Sequence, residues 1–342
     1  MRLIVALFLL VLLSGCGEKP PYKQQAYVFG TLVEVSVYGE SETKARPAVD
    51  AVLADFDRLH RLLHAWEPSD LQRINAAIAA GQPSDPAPKE VIGLLQDAAS
   101  WSDRSDGLFN PAIGNLIELW GFHSDTFAAR LPDPAKVDQL VKANPRMADL
   151  HFDGDRVVSA NPAVRLDLGG YAKGYALERA ANLLKAQGVH NALVNIGGNI
   201  IAVGQHGDRP WKVGIQHPRQ PGAIATLELR DGEAIGTSGD YQRYFELAGK
   251  RYCHLIDPRT GWPANGAQAV TVLVRGEHAG TRSDVTSKPI FIGGPAEWRK
   301  MATRMGVSEV LFIDAAGRAS ATRSMAGRLE WLDKTAPLAI VE

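Results

Sequence analysis

From Asp153 onward the chain runs through short strand-like segments with no regular helical alternation, and this limits its fold more than any other feature. "RVVSA", "ALVNIGGNIIAVG", "WKVGIQHP", "ATLELRDG", "RYFELAGKRYCHLIDP" and "AVTVLVRG" follow one another, with helical spacing only over about 170–187, 278–291 and 296–305. A doubly wound parallel sheet needs strands and helices in strict alternation, so an irregular mixture predicts an α+β fold. The part before Asp153 is mostly helical. "YVFGTLVEVSVYG" alternates like a half-buried strand, and then Val49, Val52, Leu53, Phe56, Leu59 and Leu63 recur at helical spacing over about 41–64. Two further helical stretches, about 88–105 and 111–119, bracket the turn "SDGLFNP". No internal repeat or long linker interrupts the 342 residues.

The N-terminus bounds the compartment. Met1-Arg2 carries charge, Leu3 to Leu13 is an apolar run, and "LSGC" ends at Cys16. That run is shorter than the roughly 20 residues a membrane span needs, so it reads as a signal-peptide core ending in a lipobox. The expected organisation is a lipoprotein signal over 1–15, a lipid-anchored tether from Cys16 over 16–25, and one domain over 26–342. An ordinary secretory signal with an incidental cysteine is the other reading. Gly17 after the cysteine favours outer-membrane sorting in a Gram-negative cell, so the expected address is the periplasmic side of the inner or outer membrane. With Cys16 assigned to lipidation, only Cys253 remains and no intramolecular disulfide is expected. Lys plus Arg total 37 against 38 Asp plus Glu, without basic runs, so there is no electrostatic footprint for nucleic acid.

Several short segments carry groups capable of chemistry, each with a plain structural reading beside the functional one. In "DLGGYAKGYALERA", Asp167 to Ala180, the glycines serve either a strand-to-helix joint or an anion cradle to which Lys173 adds positive charge. Tyr175 stands where a Walker loop needs its lysine. In "HLIDPRTGWP", His254 lies three residues before Asp257, and on spacing alone Asp257 reads as a turn cap. In "EAIGTSGDYQRYF", Thr237, Ser238 and Gly239 fit a phosphate contact or a hydroxyl-capped turn, and Asp240 excludes a nucleophile elbow. In "GTRSDVTSKPIFIGG", Asp284 among hydroxyls suits either Mg²⁺ or a helix-capping box from Thr281. His60 and His64 have metal-ligand spacing but no evident third ligand, which favours a solvated or capping pair.

The ordered set "FGT…DGLFNPAIGNLIELWGF…LDLGGYAKGYALE…LVNIGGNI…WKVGIQHP…TSGDYQRYF…HLIDPRTGWP…SDVTSKPIFIGG" resembles the ApbE family of FAD:protein FMN transferases, from about Phe29 to Gly294. The resemblance implies an ApbE-like fold of mixed, mostly antiparallel sheets with packed helices. It implies Mg²⁺ as cofactor and FAD as substrate. FMN would be esterified to a Thr hydroxyl of an acceptor, a membrane redox-complex subunit with a short S/T-G-A-S/T-like motif, and AMP would leave. Carried over by position, Phe29, Trp66, Leu108, Phe109, Asn110, Asp167, Lys173 and Ile256 would contact FAD, with Phe29 and Trp66 as stacking surfaces. Gly170 through its carbonyl, Asp284 and Ser287 would hold the metal, and His254 or Asp257 would take the acceptor proton. One departure stands out: Lys288 occupies the place of a metal-ligating Thr, and an ammonium cannot ligate Mg²⁺. A non-catalytic flavin-binding lipoprotein and a hydrolase splitting FAD into FMN and AMP are the alternative functions.

Overall fold

Nine strands lie side by side in the order in which the chain makes them: Tyr22–Val28, Thr31–Val37, Ala192–Ile196, Asn199–Val203, Ala234–Gly239, Ala267–Val274, Glu309–Asp314, Ala319–Thr322 and Leu338–Val341. All neighbours are antiparallel except the last pair. The structure is a computed structural model and describes residues 20–124, 126 and 128–342, so Cys16 and its apolar leader lie outside the described residues. The helices and smaller hairpins are insertions between consecutive strands, which is why the sequence shows no regular alternation.

Both faces of the sheet are covered, and the central strand Ala267–Val274 is buried along its whole length. Its side chains alternate between two cores. Val270, Val272 and Val274 face the helices Glu42–Leu63, Ala172–Ala186 and Ala279–Arg304, whereas Ala269 and Leu273 face a three-stranded sheet that includes Trp211–Gln216 and Ala223–Leu229. A third, smaller core gathers Ile113, Leu116, Trp120, Phe122, Phe245, Tyr252 and Ile256.

The structure shifts several expected boundaries. Tyr22 to Gln25, expected in the tether, pair with the second strand. The helix expected from 111 starts at Gly114, because Asn110 caps the preceding turn through its Oδ1, which accepts from the Ala112 amide at 3.0 Å. The segment expected as a hydroxyl turn, Ala234–Gly239, is a strand. The two helices expected over 278–305 form one element, kinked where Gly294 has φ 64° ahead of Pro295. Among the described residues no helix is long and apolar enough to cross a membrane.

Two helices meet unusually closely beneath the sheet end. A Cβ on Gly174 would lie 2.6 Å from both the Gly280 carbonyl oxygen and Asp284 Cβ, so only glycine permits the helix beginning at Ala172 to rest against the one beginning at Ala279. The Asp284 carboxylate is thereby brought to the start of the neighbouring helix.

Candidate functional site

A cleft of ≈ 870 Å³ opens at one end of the main sheet, within the range of small-molecule and cofactor sites. Its rim is aromatic. Phe29 and Gly30 join the first two strands, and both have positive φ, 56° and 67°, the geometry that suits a two-residue hairpin turn. Such a backbone is costly for a bulky residue, and strain of that kind concentrates at functional positions. The Phe29 ring sits 5.9 Å from Phe56 and edge-on at 5.8 Å to His60. Across the mouth, Trp66 lies under the Arg165 guanidinium at 4.2 Å and beside His123 at 5.3 Å. His64 is a cap: its Nδ1 accepts from the amides of Glu67 at 2.9 Å and Trp66 at 3.2 Å, so the His60–His64 pair serves packing and capping.

The walls bring most of the implied FAD contacts together. Phe29, Trp66, Leu108, Phe109, Asn110, Asp167, Lys173 and Ile256 all line the cleft, as do Gly170 and His254. Asn110 is also tied to its own loop, donating to the Pro145 carbonyl at 2.9 Å. Asp167 Oδ1 accepts from the Gly169 amide at 2.7 Å and so shapes the glycine turn before the helix. Lack of water around Asp167 pushes its carboxyl above the ordinary value, an effect that the Gly169 amide and the Arg243 charge only partly offset.

Asp257 does not line the cleft. Its carboxylate is held by Arg259, 2.8 Å from Nη2, and accepts from the Arg259 amide at 2.9 Å, while its carbonyl takes the Gly261 amide at 2.8 Å. That is a turn cap, the plain reading of "DPRTG". His254 does face the cleft, with Nδ1 3.2 Å from the Arg243 carbonyl. Loss of water lowers its pKa to about 3, helped by the nearby charges of Lys173, Arg243 and Lys288, so its ring is neutral at physiological pH. Burial also lowers the Lys173 pKa, with Lys288 and Arg243 adding to the fall and Asp284 opposing it. Cys253 is an inert thiol: it is buried, lies 3.4 Å from the Ala264 carbonyl, and is pushed up to about 12 by desolvation.

Beneath this floor lies Asp284, only 1% exposed. It does not cap its own helix. Its Oδ2 accepts from the Gly174 amide at 2.8 Å and its Oδ1 from Asn199 Nδ2 at 2.9 Å. Lys288, one turn on, donates to the same Oδ1 and to the Asp284 main-chain carbonyl at 2.7 Å. Ser287 turns away, its Oγ 2.9 Å from the Asp284 carbonyl and 2.8 Å from Ser238 Oγ. Of the Mg²⁺ donors the resemblance implies, Gly170 reaches the cleft but Asp284 and Ser287 do not line it, and Lys288 stands between. As the side chains are placed, these residues do not fit a divalent ion. Sequence reasoning passed over Asn199 and Arg243. Asn199 is fully buried and bridges Asp284 to the Thr237 amide, 3.0 Å from Oδ1, and nothing local in "IGGNI" signals that bridge. Arg243 lines the cleft, tied to the Ser124 carbonyl at 2.7 Å.

The family model described as "ApbE family" matches residues 29–312. A FAD:protein FMN transferase of Rhodobacter capsulatus is 42% identical over 325 residues, covering 94% of this chain; the chain spans 61% of that relative's length. A FAD:protein FMN transferase of Klebsiella pneumoniae is 30% identical over 323 residues, with 89% of each chain covered. Among solved structures, the ApbE protein of Thermotoga maritima superposes with a TM-score of 0.81 at 30% identity, covering 90% of this chain and 99% of that one. The apo form of the Pseudomonas stutzeri flavinyl transferase ApbE superposes at 0.75 and 30% identity, covering 90% and 96%.

Proposed function

The chain belongs to the ApbE family, and on that premise we propose that it transfers the FMN part of FAD to a hydroxyl of an acceptor protein. The observation that carries this reading is the polarity of one cleft: aromatic rings at the mouth, and Lys173, Lys288 and Arg243 around His254 at the floor. Rings suit the flavin and adenine, and a floor of fixed cations suits a pyrophosphate that gains charge as it breaks. Phosphoryl transfer asks the protein chiefly for in-line positioning and for cations on the developing charge. The acceptor oxygen bonds to the FMN phosphorus, the bond to the bridging oxygen breaks, and AMP leaves with that oxygen and its electron pair.

The proton of the acceptor hydroxyl goes to His254. Its ring is neutral, faces the cleft, and is depressed by the same cations a pyrophosphate would offset, so substrate binding raises its basicity. Asp257, held by Arg259, supports the turn that carries Leu255 and Ile256. The acceptor we propose is a membrane redox-complex subunit with a Thr in an S/T-G-A-S/T-like motif, and the envelope address rests on the lipobox at Cys16. Replacing Cys16 with Ser should release the protein from membranes; unchanged fractionation would remove the anchor from this reading. Coexpression with such an acceptor and intact-mass measurement tests the transfer itself. Added FMN supports the transferase, free FMN and AMP favour the hydrolase, and bound intact FAD favours the flavin-binding alternative.

A further inference from the structure

We propose that the Lys288 ammonium stands in for a divalent cation in this chain, so that the pyrophosphate of FAD is met by a tethered charge and needs no Mg²⁺. The inference rests on the FAD reading above. A carboxylate as deeply buried as Asp284 has to be neutralised by donors or a cation. Here that is complete within the protein: Gly174 and Asn199 supply neutral donors, and Lys288 supplies the positive charge to both Oδ1 and the main-chain carbonyl. The carboxylate and a peptide oxygen, both hard oxygen donors of the kind Mg²⁺ takes, are bound to an ammonium instead.

The lysine is confined to this position. It lies one helical turn after Asp284, its side chain is 14% exposed, and a Cβ on Gly170 would come within 2.9 Å of Lys288 Cε and 3.1 Å of Cδ. The aliphatic stem therefore fills the space between Gly170 and Asp284, the two implied donors of a metal. The third, Ser287, faces Ser238. An ammonium has three N–H donors. Asp284 takes two of them, and Lys288 lines the cleft, which leaves one donor for a phosphate oxygen. Lys173 and Arg243, lining the same cleft, supply the additional charge that a single ammonium lacks beside a divalent ion.

The test uses the full chain, stripped of metals with EDTA. FAD affinity is measured by calorimetry with and without Mg²⁺, and Mn²⁺ binding is read by electron paramagnetic resonance with and without FAD. The proposal expects wild-type FAD affinity to change less than about twofold between EDTA and Mg²⁺, with no tightly held Mn²⁺ in either state. Lys288→Thr should weaken FAD in EDTA by roughly tenfold or more, the loss of one charge-assisted bond, and should gain a Mn²⁺ signal that restores affinity. Lys288→Gln should lose affinity in EDTA without gaining the metal, which separates lost charge from a new ligand. Wild-type protein that holds one Mn²⁺ and loses FAD tenfold in EDTA would overturn the proposal, whether or not the variants fold. If FAD fails to bind under every condition, the transferase reading falls, and tight Mn²⁺ binding by the FAD-free protein would by itself refute the stand-in.

Discussion

The floor and the rim of the cleft are built by opposite means. The floor places charge through buried bonds between two helices that touch at Gly174 and Gly280, where every polar atom of Asp284 has a partner. The rim places a ring through backbone shape alone, on a strained two-residue turn flanked by the exposed side chains of Tyr27 and Leu32. Charge must be positioned against desolvation and tolerates no slack. A stacking surface needs only an approximate plane. Changes at the floor should therefore cost folding and phosphate recognition, whereas changes at the rim should cost ring binding alone.

The largest expected effect is at the helix crossing. Gly174→Leu has to displace the Gly280 carbonyl and the Thr281 backbone, and should destabilise the protein by about 3 kcal/mol or more, read as a fall in the urea midpoint. An unchanged midpoint would show that the helices are not wedged there. Next comes the cation: Lys173→Ala should weaken FAD by roughly tenfold to a hundredfold while riboflavin, which has no phosphate, stays within about twofold. Equal loss for both ligands would erase the distinction between floor and rim.

Phe29→Gly sharpens the comparison from the other side. It should weaken FAD and riboflavin alike, by about tenfold for one lost stack, yet leave the melting temperature unchanged or higher, because glycine adopts positive φ without the penalty the ring bears. A fall in both melting temperature and affinity would make Phe29 a packing residue. The smallest effect is in the pH profile. His254 is depressed from 6.5 to about 3, so the unfolded chain takes up its proton first, and the stability His254 lends is full above pH 6.5 and is lost as pH falls toward 3. His254→Gln should flatten the acid limb of stability in that window; an identical limb would mean the ring is not desolvated.

How much of this was legible in the sequence follows the same division. The α+β class was plain because Val-rich and Ile-rich strands follow one another without periodic helices between them. The rim residue Phe29 lies in an F-G-T turn between alternating strands, a local signal. The Ala234–Gly239 strand was hidden: its small residues read as a turn, yet Gly236 is small because a Cβ there would strike the Ser283 carbonyl at 2.1 Å, a contact between segments far apart in the chain. The helices Asp70–Ala79 and Pro134–Ala143 were passed over although Ser69 and Asp133 cap them, which the Ser-Asp and Asp-Pro pairs announce. At the floor, Lys288 could be seen as a departure from pattern, but the position of its ammonium depends on Gly170, Asn199 and Gly174, which only the tertiary structure brings to it.

The central claim is that this cleft passes FMN, not merely FAD, to a protein. The most direct measurement is the intact mass of a purified acceptor bearing the Thr motif after incubation with the full chain and FAD, with the Thr→Ala acceptor run in parallel. The account predicts one added FMN on the Thr-bearing acceptor, none on its Thr→Ala counterpart, and AMP released in equal amount. An acceptor of unchanged mass, with FAD bound intact or split to free FMN, would contradict it.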